Sequence, residues 1–318
     1  MPYVKIELTR EGVTREQKQT LIKGVTDLIT NTLNKDPHLT HVVISEVELD
    51  DWGYAGEQVS VLREKGITAD KSKTMKKQTI IVTGASSGIG KEIARYFLEK
   101  GDNVVINSTT ADKLEAVYQE LGAGDNLAMV AGNVSDKATG EKLAQTAIDK
   151  FGSVDVLINN AGIFETRPFL EVDEAYLDRF LNTNLKGTYF TTQAAIPQML
   201  KQHDGVVINI GTPLVNHALG GVPITAQMAS KGAIHALTIQ LAGEFGKDNI
   251  RINTIAPGTI RTPMHGDDAD QSAGLHLLNR VGEVEDVAQM VYAVAKNNFI
   301  SGAIINVDGG MAAGHNLN

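Results

Sequence analysis

The sequence lacks cysteine altogether. The chain therefore forms no disulfide, offers no thiolate nucleophile and has no zinc–thiolate site, and we predict no metal site of another kind. No apolar run is long enough to cross a bilayer. The opening residues MPYVKIELTREG also lack the basic and apolar segments of a secretory signal. These absences predict a cytoplasmic protein that does not insert into a membrane.

Positive charge is in short supply as well. The 318 residues include 29 of Lys or Arg against 38 of Asp or Glu, so the net charge is −9. This acidic balance argues against general affinity for nucleic acid or for an anionic membrane surface. Apolar residues make up 42% of the chain, enough for a sizeable core in one large or two modest domains. We therefore expect a small-molecule substrate rather than a polyanionic partner.

Residues 1–65 have the pattern of a small strand–helix–strand domain. MPYVKIEL alternates as a strand does, HVVISEVEL indicates a second strand, and TREQKQTLIKGVTDLITNTLNK between them has apolar residues at helical spacing. Thr14 is the predicted N-cap of that helix. A unit of this size buries little surface alone, so we expect it to pack against a partner. The polar, lysine-rich residues 66–75 are predicted to form a linker.

Residues 76–318 alternate between strand and helix patterns. Apolar, β-branched runs such as NVVINS, VDVLINNAG and GVVINIGT suit buried parallel strands. The alternation predicts an α/β fold, a doubly wound parallel-sheet Rossmann domain. The first strand leads into TGASSGIGKEIA, where Gly84, Gly88 and Gly90 allow a sharp turn before a helix. Free N–H groups at that helix N-terminus favour the phosphates of a nucleotide.

Five motifs, in order along this second domain, make it resemble the short-chain dehydrogenase/reductase family. TGASSGIG matches the phosphate-binding turn, NNAG (159–162) the segment beside the adenine ribose, and NTNLKG has the active-site asparagine at Asn184. NTIAPGTIRTPM matches the segment over the nicotinamide, and FISGAIINVDGG the last strand. The resemblance implies NAD or NADP as cofactor. It implies cofactor contacts from Gly84, Ser86, Ser87, Gly88, Ile89, Gly90, Ser108, Thr109, Asn133, Val134, Asn160, Ala161, Gly162, Lys231, Pro257, Gly258, Ile260 and Thr262.

The choice between NAD and NADP depends on the end of the second strand, VVINSTTADKL. An acidic residue there binds the ribose diol and repels a 2′-phosphate, but this sequence has Ser108 at that position, followed by Thr109. No carboxylate rejects the phosphate and no arginine clasps it, so we favour NADP over NAD. Asn133 stands where the family usually has an aspartate, which alters the contacts to the adenine.

The tyrosine of the family's catalytic set is missing. MASKGAIHALT places the lysine at Lys231, and the tyrosine position, four residues earlier, is Gln227. Thr212 matches the catalytic serine and Asn184 the asparagine. Glutamine donates a hydrogen bond to an oxyanion but supplies no proton. An oxidoreductase would then need Lys231, a water chain or His217 as its proton source.

The N-terminal domain, over residues 2–63, resembles the 4-oxalocrotonate tautomerase family. The resemblance is carried by Pro2, GVTREQKQTLIKGVT and VVISEVELDDWGYAGE. It implies that Pro2, once Met1 is removed, moves a proton between carbons of an enol or keto acid. A terminal amine has a reference pKa near ~8, and an apolar pocket lowers it. Trp52 matches the aromatic residue that lines the family's pocket.

This domain departs from that family in its cations. The positions of the two arginines that bind the substrate carboxylate are occupied by Val13 and His41. Arg10 or Arg63 is the available substitute, and each is also an ordinary surface charge. The family's fold is therefore expected here, while its diacid substrate is not.

Together these patterns predict an NAD(P)-dependent oxidoreductase acting on a carbonyl or alcohol, fused to an enol–keto tautomerase. The first alternative is an isomerase with a degenerate nucleotide-binding domain. The others are a non-enzymatic nucleotide sensor and a domain that uses bound cofactor for non-redox chemistry. Because relatives of both halves assemble, we also expect a homo-oligomer, a tetramer or larger.

Overall fold

The computed structural model describes residues 2–54, 56–64 and 77–314. The chain divides into two compact units, Met1–Lys76 and Lys77–Asn318, and each is described by itself. The predicted linker, residues 66–75, lies outside the described residues, and so does Met1.

The smaller unit is the strand–helix–strand motif that the sequence predicts. Strand β1 (Tyr3–Thr9) pairs in parallel with strand β2 (His41–Val47), and helix α1 (Arg15–Leu33) connects them. Thr14 caps α1 as predicted: its Oγ1 accepts from the Gln17 N–H at 3.2 Å, and its own N–H donates to Gln17 Oε1 at 2.8 Å. The reciprocal pair satisfies two backbone donors that a helix start leaves free.

The second strand is shorter than the run HVVISEVEL suggests. The chain leaves β2 at Val47 and makes a single helical turn over Leu49–Asp51. It continues into a short hairpin of β3 (Gly53–Tyr54) and β4 (Glu57–Gln58) and then into helix α2 (Val59–Glu64).

Helix α1 has little to pack against within its own unit. None of its residues is buried, and Leu28 and Leu33 are 65% and 58% exposed. On the sheet, Tyr3 is 64% exposed. One helix on a two-stranded sheet offers too few neighbours to remove these side chains from water.

The larger unit consists of parallel strands joined by helices. Its strands are β5 (Thr79–Val82), β6 (Asn103–Ser108), β7 (Leu127–Ala131), β8 (Val156–Asn159), β9 (Gly205–Ile210), β10 (Ile250–Pro257) and β11 (Ile304–Val307). Its helices are α3 (Gly88–Glu99), α4 (Ala111–Glu120), α5 (Lys137–Phe151), α6 (Glu174–Phe180), α7 (Gly187–Gln202), α8 (Thr225–Phe245) and α9 (Val284–Lys296).

The strands form one seven-stranded sheet in the order β11-β10-β9-β8-β5-β6-β7, with every neighbouring pair parallel. The doubly wound α/β prediction is therefore confirmed. From β5 the chain winds outward through β6 and β7, then returns to place β8 on the other side of β5. Ligands of such sheets bind beyond the carboxyl ends of the strands at this reversal.

Both faces of the sheet are covered, because successive side chains of a strand point to opposite faces. Ile80 and Val82 of β5 pack with Phe97 of α3 on one face. Ile81 lies on the other face with Met199 of α7. This explains why the strands have continuous apolar runs rather than alternating patterns.

A buried hydrogen-bond network joins the sheet to helices α7 and α8. Asn159 Nδ2 donates to Asn209 Oδ1 at 2.9 Å, and Asn209 Nδ2 donates to Thr238 Oγ1 at 2.9 Å. Thr191 Oγ1 donates to Asn159 Oδ1 at 2.6 Å, and the hydroxyls of Thr238 and Thr254 lie 2.7 Å apart. A satisfied buried network is rigid, so it holds α8 in one position on the sheet.

Candidate active site

The turn between β5 and α3 is built for close backbone approach. Gly84 and Gly88 have φ of +64° and +54°, a region that glycine adopts without strain. A Cβ at Gly84 would lie 2.7 Å from the Ala161 Cα, and one at Gly90 would lie 2.4 Å from the Gly84 oxygen. Asn160 Nδ2 donates to that same oxygen at 3.0 Å. The turn therefore packs tightly against the segment that follows β8.

A cavity of about 650 Å³ opens beside this turn, at the carboxyl ends of the central strands. Its size lies within the roughly 300–1,000 Å³ usual for ligand sites. The predicted cofactor residues that line it are Gly84, Ser86, Ser87, Gly88, Ile89, Ser108, Thr109, Asn133, Val134, Asn160, Ala161, Gly162, Lys231, Pro257, Gly258, Ile260 and Thr262. Of that predicted set Gly90 alone does not line the cavity, because it is packed against Gly84.

Helix α8 has Gln227 and Lys231 on one face, one turn apart, and both line the cavity. The Lys231 Nζ donates to the Ile210 carbonyl at 2.6 Å. Burial lowers the pKa of Lys231 to about 8, because removing an ammonium from water disfavours its charged form. The amine therefore exchanges its proton closer to neutral pH than a solvated lysine does.

Gln227 is 2% exposed, and its amide nitrogen has no hydrogen-bond partner among the described residues. Leaving a buried donor unpaired costs about 1–3 kcal/mol. A ligand oxygen at this point of the cavity wall would satisfy the amide. Gln227 is therefore a donor that the fold itself leaves unused.

Thr212 and Asn184 differ in their relation to the cavity. Thr212 lines it, and its hydroxyl accepts from the Leu214 N–H at 3.3 Å. Asn184, which is fully buried in the widened helical turn Leu181–Lys186, does not line it. Its Oδ1 accepts from the Ile163 N–H at 2.9 Å and its Nδ2 donates to Ser230 Oγ at 3.0 Å. Asn184 therefore links the wide turn to α8 and to the segment after β8.

Gly162 brings these groups together. A Cβ at this position would lie 3.2 Å from Asn184 Oδ1 and 3.5 Å from Lys231 Nζ. A side chain there would press on both polar groups. The glycine of NNAG is thus explained by close approach within the site.

The outer wall of the cavity was not predicted from the sequence. That wall is mainly apolar and includes Phe164, Leu214, Leu219, Val222, Ile224, Met228, Met264, Leu275 and Met311. It also includes His265, which directly follows the motif NTIAPGTIRTPM, so its position beside the motif was the available signal. His217, which the sequence offered as a candidate proton source, is not among the lining residues that the structure describes.

His265 is held by its Nδ1. This atom lies 3.0 Å from the Ile260 carbonyl and 3.3 Å from the Thr262 hydroxyl. A carbonyl only accepts, so Nδ1 bears the hydrogen and the neutral ring has its lone pair on Nε2. The ring lies beside Phe164, with centroids 6.1 Å apart.

The smaller unit places Pro2 next to β2, and the Pro2 carbonyl accepts from the His41 N–H at 3.0 Å. Trp52 is half-buried, and its carbonyl accepts from the Val59 N–H at 2.7 Å. These two residues therefore have defined backbone positions in this unit.

The two arginines available to replace the family's carboxylate ligands are paired within the smaller unit. Arg10 forms an ion pair with Glu48. Arg63 forms one with Glu11, with Arg63 Nη2 donating to Oε2 at 2.9 Å. Both cations thus have carboxylate partners from their own chain.

No helix in the described part of the chain is long and apolar enough to cross a membrane. A doubly wound sheet, a glycine turn at its winding reversal and a cavity beside that turn define the larger unit as an α/β protein of the nucleotide-binding class.

Comparison with known proteins narrows this class to a family. Residues 78–273 match the family model for short chain dehydrogenase, and residues 2–62 match the model for tautomerase enzyme. The chain therefore belongs to the short-chain dehydrogenase/reductase family and has a tautomerase-family domain before it. Both family resemblances are confirmed.

Individual relatives agree with this assignment. A 3-oxoacyl-[acyl-carrier-protein] reductase of Staphylococcus epidermidis is 37% identical over 74% of this chain and 98% of its own length. An L-rhamnose 1-dehydrogenase (NAD(P)(+)) of a Sphingomonas species is 34% identical over 75% of this chain and 98% of its own. A solved structure, ElxO with NADP bound, superposes with a TM-score of 0.70 at 30% identity, over 75% of this chain and all of that one.

Proposed function

We propose that the larger unit is an NADP(H)-dependent oxidoreductase that acts on an uncharged, largely apolar carbonyl compound or on the corresponding alcohol. The observation that carries the proposal is the shared cavity. The glycine turn, Thr212, Lys231 and Gln227 all line it, and the amide nitrogen of Gln227 has no hydrogen-bond partner among the described residues.

The residues present fit a nicotinamide dinucleotide. A Cβ at Gly84 would fill the cradle of the turn, and the N-terminus of α3 offers N–H groups to the phosphates. The NNAG segment and Lys231 would hold the nucleosides, with Pro257 to Thr262 along the nicotinamide. When bound, this cofactor supplies or accepts a hydride.

The preference for NADP rests on the end of β6. Ser108 and Thr109 line the cavity there, and no carboxylate is among the described lining residues. No carboxylate among these residues would repel a 2′-phosphate, and the two hydroxyls would be available to donate to it. We expect Ser108→Asp to weaken NADPH binding and strengthen NADH binding, in fluorescence titrations of both cofactors.

Thr110→Asp is the matched control, because it adds the same charge at the N-cap of α4 but outside the cavity lining. It should leave the cofactor preference unchanged. Equal NADPH and NADH affinities in the wild-type chain, or a Ser108→Asp variant that still prefers NADPH, would contradict the cofactor assignment.

The substrate class follows from the outer wall. Lys231 and His265 are the titratable side chains among the described lining residues. Both are bases, and no carboxylate is among these residues. The rest of the outer wall consists mainly of aliphatic side chains, methionines and Phe164. Such a surface favours an apolar substrate body over a charged one.

Gln227 is the proposed donor to the substrate oxygen. Its amide is buried and unpaired, and a donor at this place stabilises negative charge as the carbonyl carbon gains hydride. Thr212 offers a hydroxyl to the same cavity. Neither of these groups delivers a proton, so the site needs a separate acid.

Nicotinamide absorbance with a panel of ketones, aldehydes and alcohols tests the proposal. We expect turnover by the wild-type chain and none by Gly88→Asp, whose carboxylate enters the phosphate turn. Wild type that binds NADPH but turns over nothing, while Gln227→Tyr gains activity, would instead favour the alternative of a degenerate redox site.

For the smaller unit we propose enol–keto tautomerisation by Pro2 on a substrate without two carboxylates. The pairing of Arg10 with Glu48 and of Arg63 with Glu11 supports this, because both cations are already neutralised. Mass spectrometry should find Pro2 at the N-terminus, and Pro2→Ala should abolish ketonisation of a neutral enol. Retained Met1 would refute the role of Pro2.

We also propose a homo-oligomer. The apolar surface of α1, with none of its residues buried and Leu28 and Leu33 well exposed, supports assembly. Light scattering should give a mass of a tetramer or larger, and Leu28→Glu should lower it. A monomer in dilute solution would contradict this.

A further inference from the structure

The proposed active site lacks the tyrosine that would protonate the substrate oxygen during carbonyl reduction. Reduction of a carbonyl needs a proton on the oxygen, and neither Gln227 nor Thr212 releases one. Among the described lining residues, Lys231 and His265 remain as titratable groups. The proton donor is therefore one of these two or water.

Lys231 is less well placed than His265 to be the donor. Its Nζ is engaged with the Ile210 carbonyl at 2.6 Å, on the inner side of α8. His235, one turn further along α8, does not line the cavity. Burial and the charge of Lys231 lower the pKa of His235, so this ring packs as a neutral group.

We propose that His265 is the catalytic residue that exchanges a proton with the substrate oxygen, through its Nε2. The assignment rests on the proposed oxidoreductase function and deepens it. Nδ1 is held on the Ile260 carbonyl at 3.0 Å, which leaves Nε2 as the exchanging atom. No protein group among the described residues hydrogen-bonds to Nε2, and the ring borders the cavity.

The anchoring segment connects this ring to the cofactor turn. A Cβ at Gly88 would lie 3.1 Å from Thr262 Cγ2, and the Thr262 hydroxyl is 3.3 Å from His265 Nδ1. The His265 backbone N–H also donates to the Thr262 carbonyl at 3.0 Å. The histidine is thus fixed to the same strand-end segment that packs on the phosphate-binding turn.

The proton balance is simple. In reduction, as the carbonyl carbon gains hydride, the oxygen takes the proton from Nε2–H of the imidazolium, and the N–H electron pair stays on nitrogen. Nδ1 keeps its hydrogen and its bond to Ile260. Water then returns a proton to Nε2. In alcohol oxidation Nε2 accepts the hydroxyl proton as hydride leaves carbon.

The charged groups on neighbouring segments have partners of their own. Arg261 pairs with Asp270, with Nη1 2.9 Å from Oδ2, and with Glu283 at 3.1 Å. On the segment of Phe164, Glu165 pairs with Arg179. Lys231 is the other titratable side chain among the described residues that line the cavity.

His265→Gln tests the assignment, because it keeps an amide near the position of Nε2 but releases no proton. We expect kcat for ketone reduction by NADPH to fall about a hundred- to ten-thousand-fold, with unchanged NADPH affinity. Added imidazole should restore turnover in His265→Gly.

His217→Gln is the matched control, since this histidine is not among the described residues that line the cavity. A second readout does not depend on turnover. Nitrogen–proton NMR spectra of histidine-labelled full-length protein, assigned by difference with His265→Gln, should show the Nδ1–H tautomer and a shift of Nε2 when NADPH is added.

The outcomes separate the two proposals. Turnover that survives His265→Gln, or an Nε2–H tautomer, overturns the role of His265 and leaves the oxidoreductase function standing. A loss of activity in His217→Gln equal to that in His265→Gln also overturns it. Wild type that binds NADPH yet reduces no ketone overturns both proposals together.

Discussion

Gln227→Met should stabilise the protein while it removes activity. Gln227 is 2% exposed and its amide nitrogen has no partner among the described residues. Methionine has a similar unbranched shape and needs no hydrogen bond. Removing an unpaired buried donor should therefore gain about 1–3 kcal/mol in the free energy of unfolding. For a domain of this size each kcal/mol corresponds to about 2–4 °C in Tm.

A second glutamine of the same unit provides the matched control. Gln202, at the end of α7, is satisfied: its Oε1 accepts from the Val154 N–H and its Nε2 donates to the Val154 carbonyl, both at 2.9 Å. Gln202→Met leaves two backbone groups without partners. The same substitution should therefore cost stability here, by about 1–3 kcal/mol.

The assay is scanning calorimetry of the cofactor-free full chain, following the transition of the larger unit, with NADPH titration to show that the site remains intact. The two variants should shift Tm in opposite directions. Removing the proposed oxyanion donor should also lower kcat about a hundred- to thousand-fold. A Gln227→Met variant destabilised as much as Gln202→Met would refute the reasoning, because the Gln227 amide would then have a partner.

Three further outcomes follow from the same geometry. Lys231→Met should raise the stability at neutral pH by up to about 3 kcal/mol. The folded-state pKa of Lys231 is about 8, below the usual 10.5. Below pH 8 the wild type therefore bears the full cost of burying the ammonium, and this cost is lost as pH rises from about 8 to 10.5. A gain in the Tm of Lys231→Met that stays the same above this range would contradict the prediction. Gly90→Ala should disrupt the turn and NADPH binding, because its Cβ would lie 2.4 Å from the Gly84 oxygen. Gly243→Ala in α8 is the control, because a Cβ there would have nothing within 4 Å. It should be neutral or stabilising in the same thermal and binding assays. Gly162→Ala should lower kcat with little loss of stability, because its Cβ would lie 3.2 Å from Asn184 Oδ1; unchanged kinetics would show that this approach does not matter.

The elements were predictable because they depend on local patterns. The capping box at Thr14 is contained within four residues, and the continuous apolar strands follow from a sheet covered on both faces. The glycine turn was likewise predictable, since only glycine tolerates the conformations and contacts at Gly84 and Gly88. The predicted length of β2 was too great, because the chain makes a helical turn at Leu49–Asp51. Periodicity does not define that strand end.

Only the part of the site that lies within short sequence motifs was predictable. Ser108, Lys231 and residues 160–162 line the cavity. Each lies at or just after the end of a strand, or on a helix whose place in the strand–helix alternation is evident from the sequence. Apart from Met228 and Met264, which lie in the motifs MASKGAIHALT and NTIAPGTIRTPM, the outer wall is not marked by such a motif. His265 and Phe164 come from segments about a hundred residues apart, and their rings meet only in the folded chain.

By itself the sequence determined the two families, the nucleotide turn and the loss of the tyrosine at Gln227. All of these are local arrangements of residue types, whose physical meaning does not depend on distant segments. The tertiary structure alone decided that the Gln227 amide is unpaired, that burial lowers the pKa of Lys231, and that His265 rather than His217 borders the cavity. Burial and hydrogen-bond pairing are properties of neighbours remote in the chain, and only folding brings those neighbours together.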